Sequence, residues 1–350
     1  MPDNTDSLDL RRYDRQMKYG PIGVEGQKRL LRSRVLVCGA GALGSVSAEM
    51  LVRAGVGHLR IVDRDFLELN NLQRQSLYDE SDVASGLPKA EAAVRKLHRI
   101  NSNVTLEPVV TDVQYRNVMS LMDGCDLVVD GTDNFETRFL LNDACLESSV
   151  PWIFAGCLGA DGQTMTVVPG KTACLQCLMP DGPPAAGSLP TCDNAGILAS
   201  IISVMASIQF TEAIKILCGH LDQVSRNLTV VDLWNHQFRT LDTSHLREQG
   251  NCPACVEGRR DWLHGKRGSQ AAVLCGRNAV QVRLGDEGEF NLNKIASQVT
   301  AGQVTSQSEF MLRVTYEDLR LTLFPDGRVI VTGTEDDRHA RSIVARVIGQ

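Results

Sequence analysis

Three sets of side chains in this 350-residue chain stand at spacings that can do chemistry. The first is Gly39, Gly41 and Gly44 in VLVCGAGALGS (35–45), a G-x-G-x-x-G turn behind an apolar run. Glycines let a backbone approach a phosphate closely, and the helix expected next offers unpaired N–H groups and a positive dipole end. Asp63 closes the following apolar run, LRIVD, about twenty residues on, where a carboxylate can take ribose hydroxyls. This pairing points to an adenosine-type ligand and leaves NAD and ATP both open.

The second set favours the triphosphate. A dinucleotide's pyrophosphate is met by the glycine turn itself, whereas a triphosphate carries more charge and needs point cations and a metal. DRDFLELNNLQRQSLY and GLPKAEAA supply Arg74 and Lys89 as candidate phosphate cations, with Asn71 and Gln75 as polar supports. A solvated loop with routine charges is the plain alternative. Asp133, in VVDGTDN, falls just past another apolar run; it could hold Mg²⁺ on the phosphates or simply cap a helix.

The third set is cysteine. Cys174 and Cys177 in CLQC, and Cys252 and Cys255 in CPAC, bracket a long insertion as two C-x-x-C pairs. Four such thiolates make a tetrahedral zinc site with no open position, a structural clip between distant segments; two redox dithiols are the alternative. Cys192, in LPTCDNAGILAS, stands between a Pro/Gly-rich stretch and a helix expected to begin near Ala195. A helix N-terminus can stabilise a thiolate, so Cys192 is the candidate reactive cysteine. Cys38, Cys125, Cys145, Cys157 and Cys218 read as small apolar fillers. The count of 11 is odd in a chain too long to need disulfide staples, which fits a reducing cytoplasm.

The elements that must position these residues alternate. RVLVCGA, LRIVD, VTLEPVVT, CDLVVDGTD and PWIFAGCLG read as strands. SVSAEMLVRAG reads as a helix stopped by Gly55, and LPKAEAAVRKLHRI as a helix with Pro88 in its first turn. The alternation predicts an α/β fold, Rossmann-like, with a mostly parallel sheet, helices on both faces and ligands at the strands' carboxyl ends. Residues 1–33 form an N-terminal arm, 34–260 the nucleotide domain with the four-cysteine site, and 270–350 a small C-terminal α+β module. In the arm, RRYDRQMKYG is either an unordered leader or a reach across a dimer that places Arg15 at a neighbour's phosphates, as an arginine finger does.

The net charge of −6 argues against nonspecific nucleic-acid or membrane-surface partners. No window of about 18 uncharged apolar residues is expected to span a membrane. The polar, acidic N-terminus lacks the apolar core of a signal peptide.

Taken in order, YDRQ, GAGALGS, IVDRDFLELNNLQRQ, PKAEAA, DGTDN, CLQC, TCDNAG and CPAC resemble the ThiF/MoeB/HesA group. These are the bacterial relatives of the ubiquitin-activating enzymes, and the resemblance covers residues 8 to 260. It implies a homodimer that adenylates the C-terminal glycine of a ubiquitin-like sulfur carrier, ThiS-like or MoaD-like with a Gly-Gly end, in thiamin or molybdopterin biosynthesis. It further implies that Asp63 holds the ribose and that Gly39, Gly41, Ala42, Gly44, Asn70 and Asn134 line the nucleotide. Asn71, Arg74 and Lys89 would hold the phosphates with Arg15 of a second subunit, Asp133 would bind Mg²⁺, and the four paired cysteines zinc. Cys192 falls where some members link covalently to the carrier and where MoeB-type members have a dispensable cysteine.

The tail after residue 262 is absent from minimal MoeB. Eukaryotic relatives carry a rhodanese domain there, and LCGRNAV places Cys275 in a superficially persulfide-like loop, but too few residues remain for that domain. A carrier-docking or packing module is the expectation. Two other classes stay in view, an NAD-dependent oxidoreductase and a noncatalytic carrier-binding scaffold. Arg74 and Lys89 count against the first; their retention with Asp133 counts against the second.

Overall fold

Strand β1 (Arg34–Cys38) carries apolar residues without a break because both of its faces are covered. Val35 and Val37 enter one core, Leu36 and Cys38 the other, and none is more than 1% exposed. The structure, a computed structural model, describes residues 10–183, 195–267, 273–274, 278–284 and 290–348. β2 (His58–Val62), β3 (Thr105–Val109), β4 (Leu127–Asp130) and β5 (Trp152–Leu158) complete a parallel array around β1. β6 (Asp161–Val167), β7 (Asn227–Asp232) and β8 (Gln237–Asp242) extend it antiparallel. The order is β3-β2-β1-β4-β5-β6-β7-β8, so the chain changes direction between β1 and β4 and a crevice opens at their carboxyl ends.

On the Val35 and Val37 face lie α1 (Gly23–Arg32), α2 (Ala42–Ala54) and α3 (Lys89–Ile100), through Leu30, Leu51 and Leu97. The other face takes α4 (Phe135–Ser148) through Phe139 and Leu141. Gly55 ends α2 in the left-handed region at φ 82°, as expected. Pro88 stands one position earlier than expected, as the N-cap of α3, where its missing N–H leaves nothing unpaired.

The long helix α5 (Ala199–Leu217) begins later than expected, because Ile197 and Leu198 pair with Gly159 first; the Leu198 N–H donates to the Gly159 carbonyl at 2.8 Å. Among the described residues it is the one helix long and apolar enough to cross a membrane, though Glu212 and Lys215 keep it from being an uncharged window. Its packing is that of a core helix: Ile201, Met205 and Ala206 are buried under β5 and β7, and Gln209 donates to the Asp130 and Ile153 carbonyls.

The described residues from 273 onward belong to a second compact unit. Its elements are β9 (Val273–Leu274), β10 (Ala279–Arg283), α6 (Leu292–Gln298), β11 (Gln303–Gln307), β12 (Leu312–Tyr316), β13 (Leu319–Leu323), β14 (Arg328–Thr332) and α7 (Asp337–Ile348). The strands pair as one sheet in the order β11-β12-β13-β14-β10-β9, with Val282, Leu321, Val329, Ile343 and Val347 in its core.

Candidate functional site

The three glycines of the turn have different reasons to lack a side chain. Gly39 sits at φ 94°, and a Cβ on it would lie 2.6 Å from the Gly131 carbonyl oxygen. A Cβ on Gly44 would lie 1.8 Å from the carbonyl oxygen of Gly39. At Gly41 the nearest atom is the Gln75 Nε2 at 4.0 Å, so this backbone faces open space at the start of α2. The contrast predicts separable effects. Gly44→Ala should lower the unfolding midpoint through overpacking of about 1–3 kcal/mol or more. Gly41→Ala should leave stability within about 0.5 kcal/mol yet weaken titration with a non-hydrolysable ATP analogue. Unchanged binding by Gly41→Ala would remove the turn from the ligand site.

Asp63 at the end of β2 holds that turn in place. One carboxylate oxygen accepts the Ala40 N–H at 2.7 Å and the other the Asp65 N–H at 2.6 Å. Burial pushes its pKa up, and the Lys89 ammonium opposes the shift. Tyr78, buried, donates its hydroxyl to the Ala40 carbonyl at 2.7 Å, with the Lys89 carbonyl 3.3 Å away.

Lys89 opens α3 and is only 6% exposed; its Nζ lies 3.4 Å from Asp65. Arg74 donates to the Asn70 carbonyl at 2.9 Å. Asn71 is buried, accepts the Glu68 N–H at 3.1 Å and donates to the Asn70 side chain at 2.9 Å. Gln75 is 3% exposed, and its Oε1 has no hydrogen-bond partner among the described residues. An unmet buried acceptor disfavours the folded state by about 1–3 kcal/mol, so a donor brought by a ligand fits here. A buried lysine against the carboxylate that holds an open, glycine-lined backbone suits a phosphate.

Asp133 is exposed in the loop after β4, and the loop is fixed from beneath. Asp130 accepts the Thr132 N–H at 2.8 Å and the Thr132 hydroxyl at 2.7 Å. Arg138 donates to Asp130 at 3.1 Å, to the Thr132 carbonyl at 2.7 Å and to the Ala155 carbonyl at 3.0 Å. Burial raises the Asp130 pKa and Arg138 opposes it. One solvent-facing carboxylate is what Mg²⁺ requires when substrate phosphates and water supply its remaining ligands. Asn134 uses its side-chain oxygen to cap α4, accepting the Thr137 N–H at 2.8 Å. Arg64, paired with Asp112 at 3.0 Å, is the next cation along; burial works against its charge, but Asp112, Asp65 and Asp133 outweigh it. Tyr78, Asp65, Arg64, Asp112, Asp130 and Arg138 were not among the expected site residues. Only the alternating charges of Asp63-Arg64-Asp65 offered a local signal.

Cys174, Cys177, Cys252 and Cys255 converge, with all four sulfurs within 4.8 Å of one another. The Cys174–Cys252, Cys174–Cys177 and Cys177–Cys255 separations are 3.7, 3.8 and 3.4 Å. A zinc ion with Zn–S bonds of about 2.3 Å in a tetrahedron implies sulfurs about 3.8 Å apart, so the set fits zinc. The segment beyond Cys255 then returns to α4: Asp143 accepts the Trp262 N–H at 3.0 Å and the Leu263 N–H at 3.4 Å. The Trp262 ring packs 5.3 Å from Phe139.

Burial raises the Asp143 pKa to about 6, against the pull of these two N–H groups and Arg260. The folded pKa lies above the unfolded one, so the stabilisation is full at low pH and is lost as pH rises through about 6. The stability of the native chain relative to Asp143→Asn should therefore fall by about 2 kcal/mol between pH 4 and 7, read from urea unfolding at each pH. A pH-independent difference would place the carboxylate in a solvated setting.

Arg15 lies apart from the glycine turn, exposed on the helical turn Asp14–Met17. Cys192 and Cys275 lie outside the described residues.

The model of the ThiF family matches residues 13–254. The chain is 42% identical over 339 residues to a sulfur carrier protein ThiS adenylyltransferase of Bacillus subtilis, covering 97% of this chain and 99% of that one. It is 39% identical over 253 residues to a SAMP-activating enzyme E1 of Haloferax volcanii, covering 72% of this chain and 91% of the relative. Among solved structures, that of E. coli MccB with ATP superposes with a TM-score of 0.59 at 22% identity, over 71% of this chain and 74% of that one, a likeness of fold.

Proposed function

The chain belongs to the ThiF family, and from that premise we propose that it is a nucleotidyltransferase which adenylates the C-terminal glycine of a ubiquitin-like sulfur carrier. The observation that carries this is the near full-length correspondence to a ThiS adenylyltransferase, with Gln75 beside the open Gly41 and Lys89 against the carboxylates that hold the turn. The correspondence extends over the C-terminal module, which favours a ThiS-like, Gly-Gly-ended carrier and thiamin synthesis over a MoaD-like one. Four cysteines gathered as a metal site suit a reducing, cytoplasmic setting.

ATP would lie with its ribose at Asp63 and its phosphates over Gly41 and Ala42 at the start of α2, where the helix N–H groups and dipole meet negative charge. The carrier's carboxylate attacks the α-phosphorus, an O–P bond forms, and the bond to the β-phosphate oxygen breaks to release pyrophosphate. An ionised carboxylate needs no general base. The problem is repulsion between two anions and the charge gathering on the leaving group. Lys89 and Arg74 would meet both with fixed positive charge, without reorganisation at the moment of reaction. Asn70, Asn71 and Gln75 orient them and the nucleotide. Asp133 would hold Mg²⁺, which supplies charge neutralisation on the phosphates. Zinc at the four cysteines would be structural, since four thiolates leave it no open position. Arg15 would come from the second subunit of a homodimer, and Cys192 would carry any covalent carrier adduct.

Incubation of a ThiS-like carrier with the protein and Mg-ATP should add one AMP to the carrier's intact mass. A carrier lacking its last glycine should gain none. Equal labelling of both would rule out chemistry at the C-terminal glycine.

A further inference from the structure

The arm around Arg15 is seated in an unexpected place. Arg11, Arg12, Asp14 and Arg15 are exposed, yet Tyr13 among them is 3% exposed. Its ring fills the place a side chain would take at Gly55: a Cβ there would lie 2.5–2.6 Å from the ring atoms. Its hydroxyl accepts an N–H of Asn101 at 2.9 Å, and Asn101, fully buried, also donates to the Val52 carbonyl. Gln16 donates to Gln27 at 2.7 Å and to the Ala54 carbonyl at 3.0 Å, and Arg12 to the Ile100 carbonyl at 2.8 Å.

Apart from Gln27, which lies on α1, these grips are at the carboxyl ends of α2 and α3. The amino ends of the same two helices carry the glycine turn and Lys89. Helices of 13 and 12 residues rising about 1.5 Å per residue hold the two ends roughly 18–20 Å apart. Arg15 follows Tyr13 by two residues, so it stays at the far end, beyond the span of one arginine side chain from its own chain's phosphate site.

We propose that Tyr13 and Asn101 form a latch that positions Arg15 for the nucleotide of a second copy of this chain. The proposal rests on the role given to Arg15 above and adds the residues that aim it. Tyr13 and Asn101 are positioning residues, and YDRQ divides into anchors, Tyr13 and Gln16, around the projecting Arg15.

The test uses carrier-dependent ATP–pyrophosphate exchange by the full-length homodimer. Tyr13→Ala should lower exchange about 100-fold, as a mispositioned group does. Tyr13→Phe, which keeps the ring in its seat but leaves one buried Asn101 N–H unmet, should lower exchange less, with folding checked by a single cooperative unfolding transition at a somewhat lower midpoint. In an Arg15→Ala background, Tyr13→Ala should add no further loss. Mixing Tyr13→Ala chains with Lys89→Ala chains should restore exchange to about a quarter of the native rate, since half the dimers are mixed and each then holds one complete site. No recovery on mixing, or a further loss in the Arg15→Ala background, would overturn the latch while sparing Arg15's own role. Full exchange by Arg15→Ala alone would remove that role and the latch with it.

Discussion

Lys89→Ala should lower carrier-dependent ATP–pyrophosphate exchange by about 100- to 1,000-fold, roughly 3–4 kcal/mol of transition-state stabilisation, while the fold is kept. The expectation follows from where Lys89 stands. It is nearly buried at the first turn of α3, held by Asp65 at 3.4 Å and beside Asp63. In so dry a position its charge is felt more strongly than a surface lysine's, and Asp65 retains Arg64 when the ammonium is removed. Arginine in its place should rescue only partly, because a planar fork does not replace a point charge. Steady-state exchange over a range of ATP concentrations separates the alternatives. A change in KM alone would make Lys89 a binding residue with no part in the charge developed during attack.

The second large effect is on stability. Cys174→Ser, or removal of zinc by a chelator, should lower the unfolding midpoint by about 10 °C or more, as loss of several kcal/mol does in a domain of this size. The four sulfurs join the β6–α4 side of the sheet to the segment after β8, and Asp143, Trp262 and Phe139 depend on that return. Metal analysis should find one zinc per native chain and none in the variant. A chain that unfolds at the native temperature after zinc is stripped would show the four cysteines to be a filler cluster and no clip.

What could be seen in the sequence followed from how local the signal was. The glycine turn, Asp63, Lys89 and the C-x-x-C pairs depend on neighbours within one turn or one loop, so spacing alone singled them out as candidates. Arg138 did not announce itself: it is an arginine in the first turn of a helix until β4 and β5 bring Asp130 and the Ala155 carbonyl to it. Asp143 and Trp262 meet only through the long return past Cys255. Strand β8 has all six residues exposed and β11 four of five, so neither shows the period of a half-buried strand, and both were missed. In YDRQ the basic and aromatic character was visible. Which residue anchors and which projects depends on Gly55 and Asn101, contributed by two other helices.

The most direct test is exchange of labelled pyrophosphate into ATP by the purified protein with Mg²⁺ and a Gly-Gly-ended ThiS-like carrier. Exchange should appear only when the carrier is present and vanish when its last glycine is removed. Saturating Mg-ATP with no exchange for any Gly-Gly carrier, alongside tight binding of NAD at the glycine turn, would contradict the account.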